Sequence, residues 1–198
     1  MSEAVAPPRA NPAPLGLAAF GLTTVVLSLI NAGLLSGDPS GLVAVVVPLA
    51  FAYGGIAQII VGILEFKNGN TFGTVAFTSY GLFWMWFALL QWTAGAGWIK
   101  PPAAHAVAAT LLMWGVFSFL LWIVTFRLNR CLWTVFLLLW ITFFLLAAGD
   151  FGLGAEWRTA GGWVGLGTGL AALYGAFAEV LNATWGRTVA PLGPPTIG

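Results

Sequence analysis

The chain has 198 residues, of which 60% are hydrophobic and only 7% are charged, and its net charge is +1. Soluble domains carry about 25% charged residues, so composition predicts an integral membrane protein and excludes a soluble enzyme. A charge balance this close to zero also leaves no basic patch for nucleic acid. One cysteine and one histidine cannot build a thiolate or histidine cluster, so no metal and no cofactor is expected.

Six stretches of membrane length follow one another along the chain. A helix needs about 20 apolar residues to cross a hydrocarbon core of about 30 Å. The stretches that meet this length are Leu15–Leu35, Leu42–Leu64, Phe72–Trp92, Ala106–Phe126, Cys131–Gly149 and Thr159–Leu181. They predict an all-α bundle of six transmembrane helices over 15–186, between a Pro-rich N-terminal tail, 1–14, and an irregular C-terminal tail, 187–198.

The basic residues predict the orientation of this bundle. With six spans, both termini lie on one side of the membrane. That side collects five basic residues, namely Arg9, Lys67, Arg127, Arg130 and Arg187, whereas the other side has only Lys100 and Arg158. Because cytoplasmic loops are enriched in lysine and arginine, both termini are predicted to be cytoplasmic.

Polar side chains inside the spans mark candidate functional positions, because burial of such groups in lipid costs free energy. On the first span, Phe20, Thr24, Leu27 and Asn31 recur at helical spacing and form one face. The candidates for contact with a solute are Thr23, Thr24, Asn31, Gln58, Thr78, Ser79 and Tyr80. No lysine or arginine lies inside a predicted span, which suits a small weak acid better than a phosphate or a nucleotide.

Glu179 is the only acidic residue inside a predicted span. Two interpretations stay open: a structural bond to an amide or hydroxyl on another helix, or a role in handling protons. No nucleophile–base set can be assembled around His105, which falls in a predicted loop, so no catalytic residue and no enzyme is expected.

Several blocks of sequence resemble a known family. They are Asn11–Leu17 (NPAPLGL), Phe20–Thr24 (FGLTT), Tyr53–Gln58 (YGGIAQ), Gly69–Gly73 (GNTFG), Ala76–Gly81 (AFTSYG), Gly175–Asn182 (GAFAEVLN) and Gly186–Val189 (GRTV). In this order they resemble the acetate uptake transporter (AceTr) family, whose bacterial members are the succinate–acetate permeases. The resemblance covers about residues 11–192.

The resemblance implies a homohexamer of six-helix protomers in the cytoplasmic membrane of a prokaryote, each protomer with its own solute path. It implies transport of acetate and, in some members, succinate, usually coupled to protons. The hydrophobic constriction of the family carries over to Phe20, Tyr80 and Leu139, and Ala172 matches a position associated with substrate choice. Asp150 stands where the family often has asparagine.

Acetate transport is therefore the predicted function, with polar side chains holding the carboxylate and an apolar ring that demands dehydration or protonation. Acetate, succinate, protons, membrane lipids and further copies of the chain are the expected partners. One alternative is a passive channel for acetate or another small solute, such as ammonia or a urea-like amide. A second is a non-transporting membrane scaffold, against which the desolvation cost of the buried threonine, asparagine and glutamine side chains argues.

Overall fold

The computed structural model describes residues 10–197, and these residues form six long helices joined by short loops. Every one of the helices is long and apolar enough to cross a membrane, which confirms the predicted number and order of spans. The helices are α1 (Ala13–Asn31), α2 (Pro39–Lys67), α3 (Thr71–Gly95), α4 (Ala104–Thr125), α5 (Arg130–Asp150) and α6 (Ala155–Trp185). Most of the predicted N-terminal tail, residues 1–9, lies outside the described residues.

Polar side chains cap the start of three helices. The Asp38 carboxylate accepts a hydrogen bond from the N–H of Gly41 at 3.0 Å and begins α2. The Asn70 and Asn129 side-chain oxygens accept N–H groups at 3.0 and 2.9 Å and begin α3 and α5. Such caps satisfy N–H groups that the first helical turn leaves without an internal partner.

Helix α2 is interrupted by a π-helical stretch, Ala50–Ala57. Pro48 lies just before it, and proline both lacks an N–H donor and clashes with the carbonyl one turn earlier. Within the stretch, Gly54 lets α2 approach α3, because a Cβ there would lie 2.8 Å from the Trp84 ring. The sequence predicts an uninterrupted span over 42–64, so this break is a feature that hydropathy did not indicate.

The six helices form a ring in chain order. Helix α6 packs against α1 and α5, α5 packs against α4, and α2 packs against α1 and α3. Aromatic pairs close the ring between α3 and α4, with the ring centroids of Phe83 and Trp114 5.2 Å apart. Glycine allows the closest approach, since a Cβ at Gly162 of α6 would overlap the backbone nitrogen of Ala32 after α1.

The segment after α6 is irregular and is bonded to the bundle. The N–H of Cys131 donates to the Leu192 carbonyl at 2.9 Å. The Asn182 side chain accepts the N–H of Val189 at 2.7 Å and donates to the Ala190 carbonyl at 2.8 Å. These contacts make the segment part of the folded bundle rather than a free tail.

Candidate functional site

Two cavities lie in line along the axis of the ring. The larger one, which we call the vestibule, has a volume of about 170 Å³ and lies toward the end of the bundle opposite the chain termini. The smaller one, the inner cavity, has a volume of about 30 Å³ and lies toward the termini. Since one water molecule needs about 10–15 Å³ of such space, the inner cavity has room for about two.

Three helices supply most of the cavity lining, each through one face at helical spacing. Helix α1 supplies Leu17, Phe20, Thr24, Leu27, Ser28 and Asn31, which confirms the face predicted from the sequence. Helix α5 supplies Leu132, Val135, Phe136, Leu139, Thr142, Phe143, Leu146 and Asp150. Helix α3 supplies most of the aromatic wall, including Phe72, Phe77, Tyr80, Phe83, Trp84 and Phe87.

Phe20 and Leu139 line both cavities and therefore separate one from the other. Both side chains are buried. Tyr80 lines the inner cavity beside them, and its ring centroid lies 5.8 Å from that of Phe20 and 5.9 Å from that of Phe136. The structure thus brings together the three residues at which the resemblance implies a constriction.

The Tyr80 hydroxyl is bonded to a neighbouring helix. Its oxygen lies 2.9 Å from Oγ of Ser118, and the Ser118 hydroxyl donates to the Trp114 carbonyl at 2.7 Å. Because the single hydroxyl hydrogen of Ser118 is used in that bond, Tyr80 is the donor to Ser118. Tyr80 therefore contributes its aromatic ring to the inner cavity, held in place by a serine that the sequence did not single out.

Three buried polar atoms at the cavities have no hydrogen-bond partner among residues 10–197. They are Oγ1 of Thr24 and Nε1 of Trp84 at the vestibule, and Oε1 of Gln58 at the inner cavity. Leaving a buried polar atom unpaired costs about 1–3 kcal/mol, and all three atoms are shielded from the cavities as the side chains stand. Thr24 and Gln58 are among the candidates predicted from the sequence. Nothing in the sequence indicates that the Trp84 indole N–H lacks a partner among the described residues.

Four other candidates line neither cavity. Thr23 donates to a backbone carbonyl of its own helix at 2.8 Å, and Ala172 is completely buried. Thr78 packs against Gly62 of α2, while Ser79 lies in a shallow groove between α3 and α4. Successive helical residues point about 100° apart, so Thr78 and Ser79 cannot share the face of Tyr80. This placement departs from the binding role predicted for all four residues.

Two carboxyl groups lie at the end of the bundle that holds the termini. Oε2 of Glu179 accepts the Asn11 amide at 2.6 Å, as one of its two interpretations expects. Glu65 is only 2% exposed and accepts the Asn70 amide at 2.8 Å, while its other oxygen has no partner among the described residues. The two carboxyl groups also interact electrostatically. Glu179 is therefore not the only acidic residue inside a membrane-length helix, because α2 continues to Lys67 and includes Glu65.

A cation lies at the mouth of the vestibule. Helix α6 begins at Ala155, four residues before the predicted span, so Arg158 belongs to its first turn and lines the vestibule. Nη1 of Arg158 donates to Oδ1 of Asn31 at 3.2 Å, and Nη2 forms an ion pair with Asp150. The expectation that no basic residue lies within a span is wrong at this position.

Comparison with known proteins shows extensive similarity. Residues 2–193 match the GPR1/FUN34/yaaH family. The succinate-acetate/proton symporter SatP of Escherichia coli strain K12 is 43% identical over 184 residues, which cover 93% of this chain and 95% of that protein. The ammonia transport outward protein 2 of Saccharomyces cerevisiae is 36% identical and matches 86% of this chain and 61% of its own length.

A solved structure shares the fold. The structure of the bacterial acetate channel SatP superposes with a TM-score of 0.88 at 42% sequence identity, and it covers 94% of this chain and all of that one. Similarity of this extent includes every helix that lines the vestibule and the inner cavity.

Proposed function

This chain belongs to the GPR1/FUN34/yaaH family, and we propose that it carries acetate, and with it succinate or other small carboxylates, across the cytoplasmic membrane. The path is formed by the vestibule and the inner cavity. The observation that carries this proposal is that Phe20 and Leu139 line both cavities, so that apolar side chains lie between the vestibule and the inner cavity. The names of the similar proteins, an acetate channel and a succinate-acetate/proton symporter, support the choice of solute.

The vestibule provides hydrogen-bond donors that a carboxylate can use. Thr24 and Trp84 both line it, and the Thr24 hydroxyl and the Trp84 indole N–H, which are shielded and have no protein partner among the described residues, reach a solute when their side chains rotate toward the vestibule. A carboxylate that accepts these donors exchanges part of its hydration for hydrogen bonds, which lowers the cost of approaching the constriction. Gln58 provides an amide to the same solute on the other side.

The constriction selects by dehydration. Phe20, Tyr80 and Leu139 present rings and methyl groups, so a solute must lose water or take up a proton to pass between them. Removing a charged group from water is far more costly than removing a neutral one. Small monocarboxylates therefore pass faster than dicarboxylates, which carry a second charge through the same gap.

Glu179 is the candidate for proton handling in a coupled mechanism. It lies with Glu65 at the end of the bundle that holds the termini, beyond the residues that line the inner cavity, where a proton that crosses with a carboxylate can be released. An uncoupled channel is the second candidate function. The apolar barrier favours it, because a solute that crosses as the neutral acid needs no protonated side chain in the protein.

Uptake of labelled acetate into proteoliposomes tests this proposal, with and without an inward proton gradient. Protein-free liposomes set the baseline under both conditions, because acetic acid crosses lipid by itself. Accumulation above that baseline only with the gradient indicates symport, and Glu179→Gln is then expected to abolish accumulation while equilibration persists. Equal and faster equilibration under both conditions indicates a channel.

Flux no faster than the baseline would contradict the proposal and favour a scaffold. Competition separates the solutes: excess unlabelled acetate is expected to slow uptake of the label, whereas excess ammonium is not. Slowing by ammonium alone would assign the path to ammonia instead.

A further inference from the structure

Arg158 holds a position that no other basic residue in the described chain shares. Among residues 10–197, it is the only lysine or arginine that lines the vestibule or the inner cavity. Its guanidinium joins three elements, because it contacts Asn31 at the end of α1 and Asp150 at the end of α5 from the first turn of α6. Any solute that enters the vestibule from this end passes that group.

The guanidinium keeps donors available for a further ligand. Arginine has five N–H donors, and the bonds to Asn31 and Asp150 use two of them. The Arg158 side chain is 47% exposed, whereas that of Asp150 is 10% exposed. The positive group therefore faces the mouth, and the negative group lies behind it toward the bundle. A planar guanidinium with free N–H groups is well suited to a carboxylate, which it can bind through two parallel hydrogen bonds.

We propose that Arg158 captures carboxylate anions at the mouth of the vestibule, and that Asp150 weakens this capture enough for the anion to move on toward Thr24. The ligands are small mono- and dicarboxylates. Conduction requires sites that bind strongly enough to fill and weakly enough to empty, and a neighbouring fixed carboxylate provides that balance. Asn31 positions the guanidinium through its side-chain oxygen. This inference rests on the proposed function and adds to it a first binding step.

A purely structural ion pair makes a different prediction from a capture site. If the pair only ties α5 to α6, loss of either charge removes the same bond, so both losses change transport in the same direction. If Arg158 captures anions, loss of the guanidinium weakens capture while loss of the Asp150 charge strengthens it. The two substitutions then act in opposite directions, which separates the two roles.

The test is uptake of labelled acetate and labelled succinate into right-side-out membrane vesicles at about pH 8, where both acids are ionised. One charge at about 5 Å in water changes the local concentration of a monovalent anion about fourfold. We expect Arg158→Gln to raise the half-saturating acetate concentration by up to about fourfold. We expect Asp150→Asn to lower it by up to the same factor, with the maximal rate less affected in both variants.

Three further measurements sharpen the test. Lys100→Gln removes the same charge from the same side of the membrane at a residue that lines neither cavity, and it is expected to leave the half-saturating concentration unchanged. Arg158→Lys keeps the charge but not the planar pair of donors, so it is expected to restore the electrostatic part of the affinity only. Succinate carries two charges, so Arg158→Gln is expected to raise its half-saturating concentration by about the square of the factor found for acetate. Both increases are expected to shrink as salt is added.

The outcomes separate failure of this inference from failure of the proposed function. Opposite shifts in Arg158→Gln and Asp150→Asn, larger for succinate, support capture at Arg158. Shifts in the same direction, or no shift, overturn it while the carboxylate path stands. Wild-type uptake no faster than in vesicles without the protein overturns the proposed function itself.

Discussion

Leu139 narrows the proposed path with a side chain that offers a solute no polar atom. Removal of its branched end in Leu139→Ala widens the gap beside Phe20 without changing any charge. We expect uptake of succinate and larger monocarboxylates to rise about three- to tenfold relative to acetate, because a wider gap requires less dehydration. The ratio of the initial uptake rates in proteoliposomes measures this effect.

The same substitution on the outer surface provides the control for Leu139→Ala. Leu170 of α6 is 58% exposed and lines neither cavity, so Leu170→Ala is expected to leave the rate ratio unchanged. Phe20→Ala is expected to act like Leu139→Ala. An unchanged ratio in both constriction variants would show that selection occurs elsewhere.

Single residues also show how far the sequence could predict the site. The α1 face could be predicted because Thr24 and Asn31 lie at helical spacing from Phe20. Thr78 and Ser79 were selected only because they are polar, and polarity does not indicate which side of a helix will face a cavity. The lack of a partner for the Trp84 indole N–H among residues 10–197 depends on how α2 packs against α3, and no local sequence pattern indicates that packing.

Among the helices, length and hydropathy predicted every span, but not its details. Hydropathy predicts the start of α6 too late, because Trp157 and Arg158 interrupt the apolar run, whereas the helix begins at Ala155. The π-helical stretch of α2 and the burial of Glu65 depend on how α2 packs, so hydropathy alone could not indicate them. The error at the start of α6 concerns Arg158, which lines the vestibule, and the π-helical stretch of α2 ends just before Gln58, which lines the inner cavity.

The contact between α1 and α6 depends on glycine. A Cβ at Gly162 would overlap the backbone nitrogen of Ala32, and backbone cannot move aside as a flexible side chain can. We expect Gly162→Ala to destabilise the protein by about 1–3 kcal/mol, the usual cost of overpacking. This cost is measured by thermal unfolding in detergent, in which the folded fraction is recorded as the temperature rises.

Gly167 provides a matched control on the same helix. A Cβ there would lie 3.4 Å from the Leu138 side chain, which is ordinary contact. Because alanine favours helix over glycine by up to about 1 kcal/mol, Gly167→Ala is expected to be neutral or stabilising. If Gly162→Ala and Gly167→Ala destabilise the protein equally, the close contact between α1 and α6 does not explain why glycine is needed at residue 162.

At the scale of the whole molecule, chain order and ring order coincide. Each helix packs beside its neighbours in sequence, through aromatic side chains in the case of α3 and α4, and α6 returns to α1 to close the ring. The vestibule and the inner cavity both lie between helices of one chain. The homohexamer implied by the resemblance remains a prediction, and large apolar side chains on the outer surface, such as Leu120 and Val180, are available to lipid or to neighbouring protomers.

A path that lies inside one protomer predicts independent transport by each copy. Leu139→Trp places a large ring at the constriction and is expected to block the protomer that carries it. When wild-type and blocked chains are coexpressed and reconstituted together, we expect acetate flux to fall linearly with the blocked fraction. A steep fall, in which one blocked copy silences its neighbours, would mean that the solute crosses between protomers or that the copies open together. Linear loss with an assembly larger than a monomer would show that oligomerisation supports the bundle without forming the path.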